Sequence, residues 1–156
     1  MNILITGGRA PATMDIMRSL MNQGYQVYSA ESMLFPLARC VKGVKKHFVT
    51  PKPNHDLAAF LKAIKDIVIQ YKIDLLIPTC EEIFHISQGH EELSKHTKVF
   101  CEPFERLNQL HNKYEFNQLV SEYGLAAPQS WLINTDKDKQ NLPKDIPLVL
   151  KPVFSR

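Results

Sequence analysis

The chain opens with a short apolar run that ends in two glycines, and this order limits the folds open to it. Residues 3–6 (ILIT) precede Gly7 and Gly8, and an apolar run bounded by glycine is typical of a strand buried on both faces of a parallel sheet. Pro11 and the apolar residues spaced after it predict a helix that begins directly beyond the glycines. Residues 25–30 predict the next strand, so the chain begins with a βαβ unit.

The same alternation continues as far as residue 103. Residues 47–50, 73–78 and 98–101 are predicted strands, and residues 54–71 are a predicted helix with one apolar stripe. Strands that alternate with helices predict an α/β fold with right-handed crossovers. The predicted fold class is therefore a Rossmann-like, doubly wound parallel sheet with helices on both faces.

Polar residues follow three of these strands, at the edge where ligands of such sheets bind. They are Gly7, Gly8 and Arg9 after the first strand, Glu31 after the second, and residues 79–82 after another. The spacing of the glycines departs from the dinucleotide fingerprint in both registers. Glu31 nevertheless lies about where a ribose-binding acid would lie. We therefore keep open both a tight structural turn and a turn that contacts a ligand.

Two adjacent carboxylates, Glu81 and Glu82, open a helix after the strand at 73–78. Their position allows two interpretations: they orient a substrate amine or hydroxyl, or they complement a helix N-terminus. Glu81 and His85 lie four residues apart on one helix face, but a metal site needs at least a third ligand. Cys80 has no evident histidine partner and is interpreted as a packing residue.

Composition excludes several classes of protein. The net charge of +3 is too small to argue for nucleic acid, and no apolar run approaches the ~18 residues of a membrane span. The three cysteines have no C-x-x-C spacing and suit free thiols in a reducing compartment. The sequence therefore predicts a cytoplasmic protein without nucleic-acid or membrane partners.

The pattern changes from residue 104 onward. Residues 104–123 predict two short helices, residues 130–133 a short strand and residues 136–144 a polar loop. Residues 148–151 predict a strand that is apolar except for Lys151. A lysine in an apolar strand either extends to solvent or meets an anion, and a phosphate is the natural anion for an ammonium group.

Four stretches, in this order, resemble the beginning of an ATP-grasp enzyme, the family of biotin carboxylase, carbamoyl-phosphate synthetase and D-alanine–D-alanine ligase. They are residues 2–9, 73–82, 112–128 and 147–156. The resemblance implies a Rossmann-like pre-ATP-grasp domain at 1–103, a helical linker at 104–128, and the start of a truncated ATP-grasp domain at 129–156.

The resemblance also implies roles for particular residues. Lys113 and Lys151 match the two lysines that contact ATP phosphates, and Ser155 and Arg156 match the run that enters the phosphate loop. The face that meets the acceptor substrate is matched by Gly7, Gly8, Arg9, Glu81 and Glu82. One departure is Asn112 before Lys113, where the family more usually has aspartate.

The implied parent enzyme uses ATP and magnesium to activate a small-molecule carboxylate as an acyl phosphate. It then passes the acyl group to an amine or another nucleophile. We expect this chain to be the N-terminal, substrate-side fragment of such an enzyme, inactive alone and without tightly bound ATP or magnesium. The alternative is a free-standing Rossmann-like nucleotide-binding or interaction module, and a homodimer is compatible with either.

Overall fold

The computed structural model describes residues 1–154 and divides the chain into two compact units, which meet in sequence between Phe104 and Glu105. The first unit contains the sheet and the second is helical. The strands are β1 (Asn2–Thr6), β2 (Gln26–Glu31), β3 (Lys46–Val49), β4 (Leu75–Ile77) and β5 (Lys98–Val99). The helices are α1 (Pro11–Asn22), α2 (Leu57–Gln70), α3 (Glu82–Gln88), α4 (His90–Leu93), α5 (Phe104–His111), α6 (Lys113–Glu122) and α7 (Asp136–Gln140), with a 3-10 helix at Leu37–Cys40.

All five strands of the first unit are parallel, in the order β3-β2-β1-β4-β5. The central strand β1 pairs with β2 on one side and with β4 on the other, so Ile3 lies opposite both Val27 and Leu75. Residues 3–5 of β1 are fully buried, as the apolar run before the glycines predicts. The predicted Rossmann-like α/β fold is confirmed.

Each face of the sheet carries its own apolar core, which places helices on both sides. On one face Leu4 and Leu76 pack with Phe60 and Ile64 of α2. On the other face the core contains residues of β1, β2, α1 and the 3-10 helix with its C-cap, namely Ile3, Ile5, Met17, Val27, Ala38 and Val41. Neither face is open to solvent at its centre, so the carboxyl ends of the strands are left as the place for a site.

The second unit departs from the predicted strands. Residues 130–133 and 148–151 form no strand, because no neighbouring segment supplies the backbone hydrogen bonds of a sheet. Val149 and Leu150 are 81% and 83% exposed. The predicted loop at 136–144 instead begins with the short helix α7, whose capping box joins Thr135 to Asp138.

The helix α6 begins at a well-formed cap just before Lys113. The Asn112 side-chain oxygen accepts hydrogen bonds from the backbone N–H groups of Tyr114 (3.0 Å) and Glu115 (3.1 Å). Asparagine and aspartate are equally good helix caps. The departure at position 112 therefore leaves the start of this helix, and the place of Lys113 on it, unchanged.

Candidate functional site

The strand order reverses between β1 and β4, and the candidate site lies at the carboxyl ends of these two strands. In open α/β sheets, this crevice is where ligands bind. β1 leads into Gly7, Gly8 and Arg9, and β4 leads through Thr79 into Glu82, the first residue of α3. The sheet thus brings together residues more than seventy positions apart in the sequence.

Gly7 is required by both backbone conformation and space. Its φ of +75° belongs to the left-handed region that favours glycine. A Cβ built on Gly7 would lie 2.4 Å from Thr79 Oγ1 and 2.6 Å from the Thr79 carbonyl oxygen. The two turns at the switch point are therefore in direct backbone contact, and position 7 accepts only glycine without movement of its neighbour.

Two threonine hydroxyls fix this contact. Thr79 Oγ1 donates to the carbonyl oxygen of Thr6 at 2.6 Å and lies 2.8 Å from the hydroxyl of Thr13 on α1. Thr13 Oγ1 in turn lies 3.0 Å from the carbonyl oxygen of Gly7. Sequence reasoning placed Thr79 at this edge without giving it a role, and it missed Thr13. The signal for this contact is a pair of hydroxyl residues. One, Thr79, follows the strand β4, and the other, Thr13, lies in the first turn of α1, the helix that follows β1.

Arg9 and Glu31 form a two-point ion pair across the ends of β1 and β2. Arg9 Nε donates to Glu31 Oε2 at 3.1 Å and Arg9 Nη2 donates to Glu31 Oε1 at 2.6 Å. Glu31 Oε1 also accepts from the backbone N–H of Ser32 at 2.7 Å. The Glu31 side chain is 1% exposed. Its carboxylate is therefore buried with its charge compensated, which is the condition for burying an ion.

Glu82 links the third strand end to the same guanidinium. Its Oε1 accepts from Arg9 Nη2 at 3.2 Å and its Oε2 accepts from the backbone N–H of Gly7 at 3.0 Å. Its side chain is 4% exposed. Glu82 thus ties the glycine turn and Arg9 to the start of α3.

The two carboxyl groups titrate in opposite directions. Burial, followed by repulsion from Glu31, raises the pKa of Glu82 from 4.5 to about 7, although Arg9 opposes the shift. Burial also acts to raise the pKa of Glu31, but the hydrogen bonds and charge of Arg9 and the N–H of Ser32 outweigh it, and the net direction is downward. Glu31 is thus the more acidic of the two carboxyl groups, and Glu82 is the one that retains its proton to higher pH.

The structure collects most of the predicted substrate-side residues in this one place. Gly7, Arg9 and Glu82 are joined by hydrogen bonds. Gly8 belongs to the same turn, and its carbonyl oxygen accepts from the N–H of Ala38 at 2.8 Å. Glu81 is exposed and precedes α3. The predicted gathering of these residues at one sheet edge agrees with their positions, whereas their role toward a substrate stays a prediction.

The ribose-binding role considered for Glu31 does not fit this geometry. Both oxygens of Glu31 are engaged by Arg9, and one also accepts from Ser32. The N–H of Gly7, which would face a phosphate at a nucleotide-binding turn, is donated to Glu82. Internal carboxylates therefore occupy the groups that a dinucleotide would use.

Two other kinds of site are absent from residues 1–154. No group of three or more His, Cys, Asp or Glu side chains is placed to hold a metal ion, and His85 instead packs edge-on against Phe60 with ring centroids 6.4 Å apart. No helix in this part of the chain is both long and apolar enough to cross a membrane.

The two lysines assigned to ATP phosphates line one cavity within the second unit. The cavity has a volume of about 1030 Å³ and is bordered by Lys113, Lys139 and Lys151. Its walls are largely apolar and include Phe116, Trp131, Leu132, Ile133 and Leu148. A cavity lined by both lysines and apolar side chains suits a ligand that combines a phosphate with an apolar part. Ser155 and Arg156, also predicted to bind the nucleotide, lie outside the described residues.

No family model and no curated protein matches the chain. Among solved structures, it is similar to the L-amino acid ligase from Bacillus licheniformis, with a TM-score of 0.76 and 18% identity over 99% of this chain and 37% of the ligase. It is also similar to the biotin carboxylase domain of the Hydrogenobacter thermophilus 2-oxoglutarate carboxylase, in complex with MgADP and bicarbonate, with a TM-score of 0.67 and 16% identity over 94% of this chain and 33% of that one.

A third similar structure is glycinamide-RNase-transformylase T from Mycobacterium tuberculosis, with a TM-score of 0.67 and 12% identity over 90% of this chain and 38% of that one. The chain thus spans between 33% and 38% of the length of these three proteins. At these identities the likeness shows the fold. It is the fold that the resemblance to ATP-grasp enzymes predicts.

Proposed function

We propose that the chain is the substrate-side part of an ATP-grasp ligase or carboxylase-like enzyme. The observation that carries the proposal is that Lys113 and Lys151, assigned from the sequence to the phosphates of ATP, line the same cavity. They are 38 positions apart, with Lys113 opening α6 and Lys151 in an irregular segment. The backbone N–H of Lys113 donates to the carbonyl oxygen of Val153 at 3.2 Å, which brings the two segments together.

The cavity fits the chemistry of a nucleoside triphosphate. Lys113, Lys139 and Lys151 supply positive charge where phosphates would lie, and Trp131 lies on an otherwise apolar wall. No group of three or more His, Cys, Asp or Glu side chains in residues 1–154 is placed to hold the magnesium that the resemblance implies.

The proposed reaction has two displacements. A carboxylate oxygen of the substrate attacks the γ-phosphorus of ATP, ADP leaves, and an acyl phosphate forms. The nitrogen of an amine then attacks the acyl carbon, inorganic phosphate leaves, and the nitrogen loses a proton. The lysines of the second unit would stabilise the charge on the phosphates during the first displacement, and the switch point of the first unit would hold a substrate.

Hydroxylamine trapping with the product of the complete reading frame tests this reaction. An acyl phosphate reacts with hydroxylamine to give a hydroxamate, so we expect hydroxamate to form only when ATP and a carboxylate substrate are both present. Lys113→Ala and Lys151→Ala should each lower the rate by about 100-fold, because each removes a positive charge that would stabilise the phosphates in the transition state. We also expect the 156-residue chain alone to give no turnover.

Lys137→Ala is the matched control, because Lys137 is exposed on α7 and does not line the cavity. Its rate should stay within about twofold of the unmodified enzyme. Hydroxamate formation without ATP would refute the proposal. An equal loss of rate in all three variants would refute the assignment of the two lysines.

A further inference from the structure

Arg9 uses only part of its hydrogen-bonding capacity inside the protein. A guanidinium carries five N–H donors. The Nε–H and one Nη2–H bond the two oxygens of Glu31, and Nη2 also donates to Glu82 Oε1 at 3.2 Å. Nη2 further lies 3.5 Å from Ser32 Oγ, at the limit of a hydrogen bond. The two N–H groups of Nη1 have no acceptor among residues 1–154.

Arg9 is also the member of this cluster that a ligand can reach. Its side chain is 45% exposed, whereas those of Glu31 and Glu82 are 1% and 4% exposed. Both oxygens of each carboxylate already accept hydrogen bonds. A substrate amine would therefore find no free oxygen on Glu31 or Glu82, and Arg9 offers instead a pair of donors. Its ligand must carry an acceptor.

If the acceptor is an anion, the net charge of Arg9, Glu31 and Glu82 determines how favourably it binds. The charged groups that act on Glu82 are Glu31 at the end of β2 and Arg9 in the β1–α1 turn. With both carboxylates ionised, the three groups sum to one negative charge, which disfavours a further anion. One proton on Glu82 makes the sum neutral and leaves the Glu31–Arg9 pair intact. An anion and the ionised form of Glu82 thus compete for the same guanidinium.

We propose that the Nη1 edge of Arg9 binds a carboxylate of the substrate, and that Glu82 takes up a proton as this carboxylate binds. The inference rests on the proposed function, because that function supplies a carboxylate as the ligand. A carboxylate suits this site because it is a singly charged acceptor: the two N–H groups of Nη1 diverge, and one carboxylate oxygen can accept from one of them in a charge-assisted hydrogen bond. A phosphate group would bring more negative charge to an arginine that already serves two carboxylates. Glu82 is here a positioning residue, which acts through Arg9 and Gly7.

Acetate binding to the 156-residue chain, followed by NMR in the absence of ATP, tests the inference. We expect acetate to shift the Nε–H signal of Arg9 and the amide of Gly7. Binding should weaken by about tenfold from pH 6 to pH 8, because above the pKa of Glu82 the proton must be taken up from increasingly dilute solution. In Glu82→Gln, a neutral side chain of the same shape, the affinity should be the same at both pH values.

The carboxyl carbon of Glu82 gives a second measurement that needs no variant. Its titration midpoint should move to higher pH when acetate is added and stay unchanged when chloride is added at equal ionic strength. Arg18→Gln is the matched control, since Arg18 lies on α1 and its one ion pair within residues 1–154 is with the exposed Asp15. That variant should bind acetate as the unmodified chain does, whereas Arg9→Gln should lose binding.

Sulfate separates a carboxylate from a phosphate-like ligand, since it stays a dianion throughout this pH range. Binding of sulfate but not of acetate would overturn the carboxylate assignment. Acetate binding with no pH dependence, or with no movement of the Glu82 midpoint, would overturn proton uptake. No shift at Arg9 with either anion would overturn the site itself. Each of these results is independent of ATP turnover, so failure here is distinct from failure of the proposed ligase activity.

Discussion

Arg9 compensates two buried carboxylates that come from different strand ends. A carboxylate removed from water costs several kcal/mol unless it is paired and hydrogen-bonded. Arg9 supplies that pairing through two bonds to Glu31 and one to Glu82. The same side chain is nearly half exposed. It therefore connects the interior of the sheet edge to whatever binds outside it.

Replacing Arg9 with methionine should destabilise the first unit by about 2 kcal/mol at pH 7, because Glu31 is left buried without its counter-ion. The cost is below that of a fully buried pair since water reaches part of the site. The pKa of Glu31 is lowered in the native protein, so the stabilisation is present above its ordinary value and lost as pH falls. The difference in free energy of unfolding between the unmodified protein and Arg9→Met should therefore become smaller below about pH 4.5.

Urea unfolding followed by the amide signals of β1 measures this effect. Arg18→Met provides the control, because it breaks an exposed ion pair on α1 with its neighbour Asp15. Its cost should be under about 0.5 kcal/mol. Equal destabilisation by the two variants would contradict a special role for Arg9.

Glu82→Gln should flatten the pH dependence of stability between about pH 4.5 and 7. In this window the unfolded chain has lost the proton of Glu82 and the folded chain retains it, so the free energy of unfolding falls as pH rises. Across this window Glu82 changes the free energy of unfolding by about 3 kcal/mol at most, at 1.36 kcal/mol for each unit by which its pKa is raised. Urea titrations at pH 5 and pH 7.5 compare the two proteins, and histidines common to both cancel. Parallel pH profiles would refute the raised pKa.

At the scale of elements, the β1–α1 turn is held from both sides. Thr79 and Thr13 bind its carbonyl oxygens, and Glu82 binds its first N–H. A turn fixed in this way keeps Arg9 in one place relative to β4 and α3. The sequence left open whether this glycine turn is structural or contacts a ligand, and in the structure its hydrogen bonds hold Arg9 in position.

Gly7→Ala should cost at least about 2 kcal/mol more than Gly24→Ala. Both glycines have positive φ, +75° and +85°, so both alanines carry similar backbone strain of about 1–2 kcal/mol. Only at position 7 does the added methyl group also meet backbone atoms, at 2.6 Å from the Thr79 carbonyl oxygen. Nothing lies within 4 Å at position 24. Thermal or urea unfolding of both variants gives the comparison, and equal costs would contradict the close contact.

Sequence periodicity predicted the sheet well and the second unit poorly, for a physical reason. The strands β1 and β4 are apolar because both faces are buried, so pattern and structure have the same cause. The segment at 148–151 is also apolar, except for Lys151, but no strand of residues 1–154 lies beside it to pair with. Strand pairing depends on segments far apart in the chain, so the sequence of one segment does not predict it. The capping box of Thr135 and Asp138 was, by contrast, a local signal that sequence reasoning overlooked.

The site was predictable to the extent that topology determines it. The carboxyl ends of parallel strands meet at one edge, so the gathering of Arg9, Glu31 and Glu82 follows from the strand assignment. The choice of hydrogen-bond partner for each side chain depends on its rotamer and on atomic positions to within 1 Å. A sequence does not contain that information. The ion pair of Arg9 with Glu31 could therefore only be seen in the structure.

At the scale of the whole molecule, the two units differ in the kind of packing that holds them. The first has two apolar cores, one on each face of the sheet. Within the described part of the second unit, no apolar side chain is buried, and the buried residue there is Asn112. Stability is thus concentrated before residue 105.

Limited proteolysis with subtilisin should cut the chain first beyond residue 104. Segments with few buried apolar contacts open at lower free energy, so we expect cleavage there to be at least about tenfold faster than in the sheet. Mass spectrometry would then detect a resistant fragment ending near Phe104. First cuts within β1 or α2 would show that stability is distributed otherwise.

The exposed apolar stretch in the second unit has a consequence for the colloidal behaviour of the chain. Leu148, Val149 and Leu150 are 44%, 81% and 83% exposed, and their backbone belongs to no strand. Such a segment is a template for pairing with another copy. Pro147 and Pro152 bracket it and interrupt the hydrogen-bond ladder on both sides. Self-association through this stretch is thereby limited to four residues, which favours small, reversible clusters at high concentration over growing fibres.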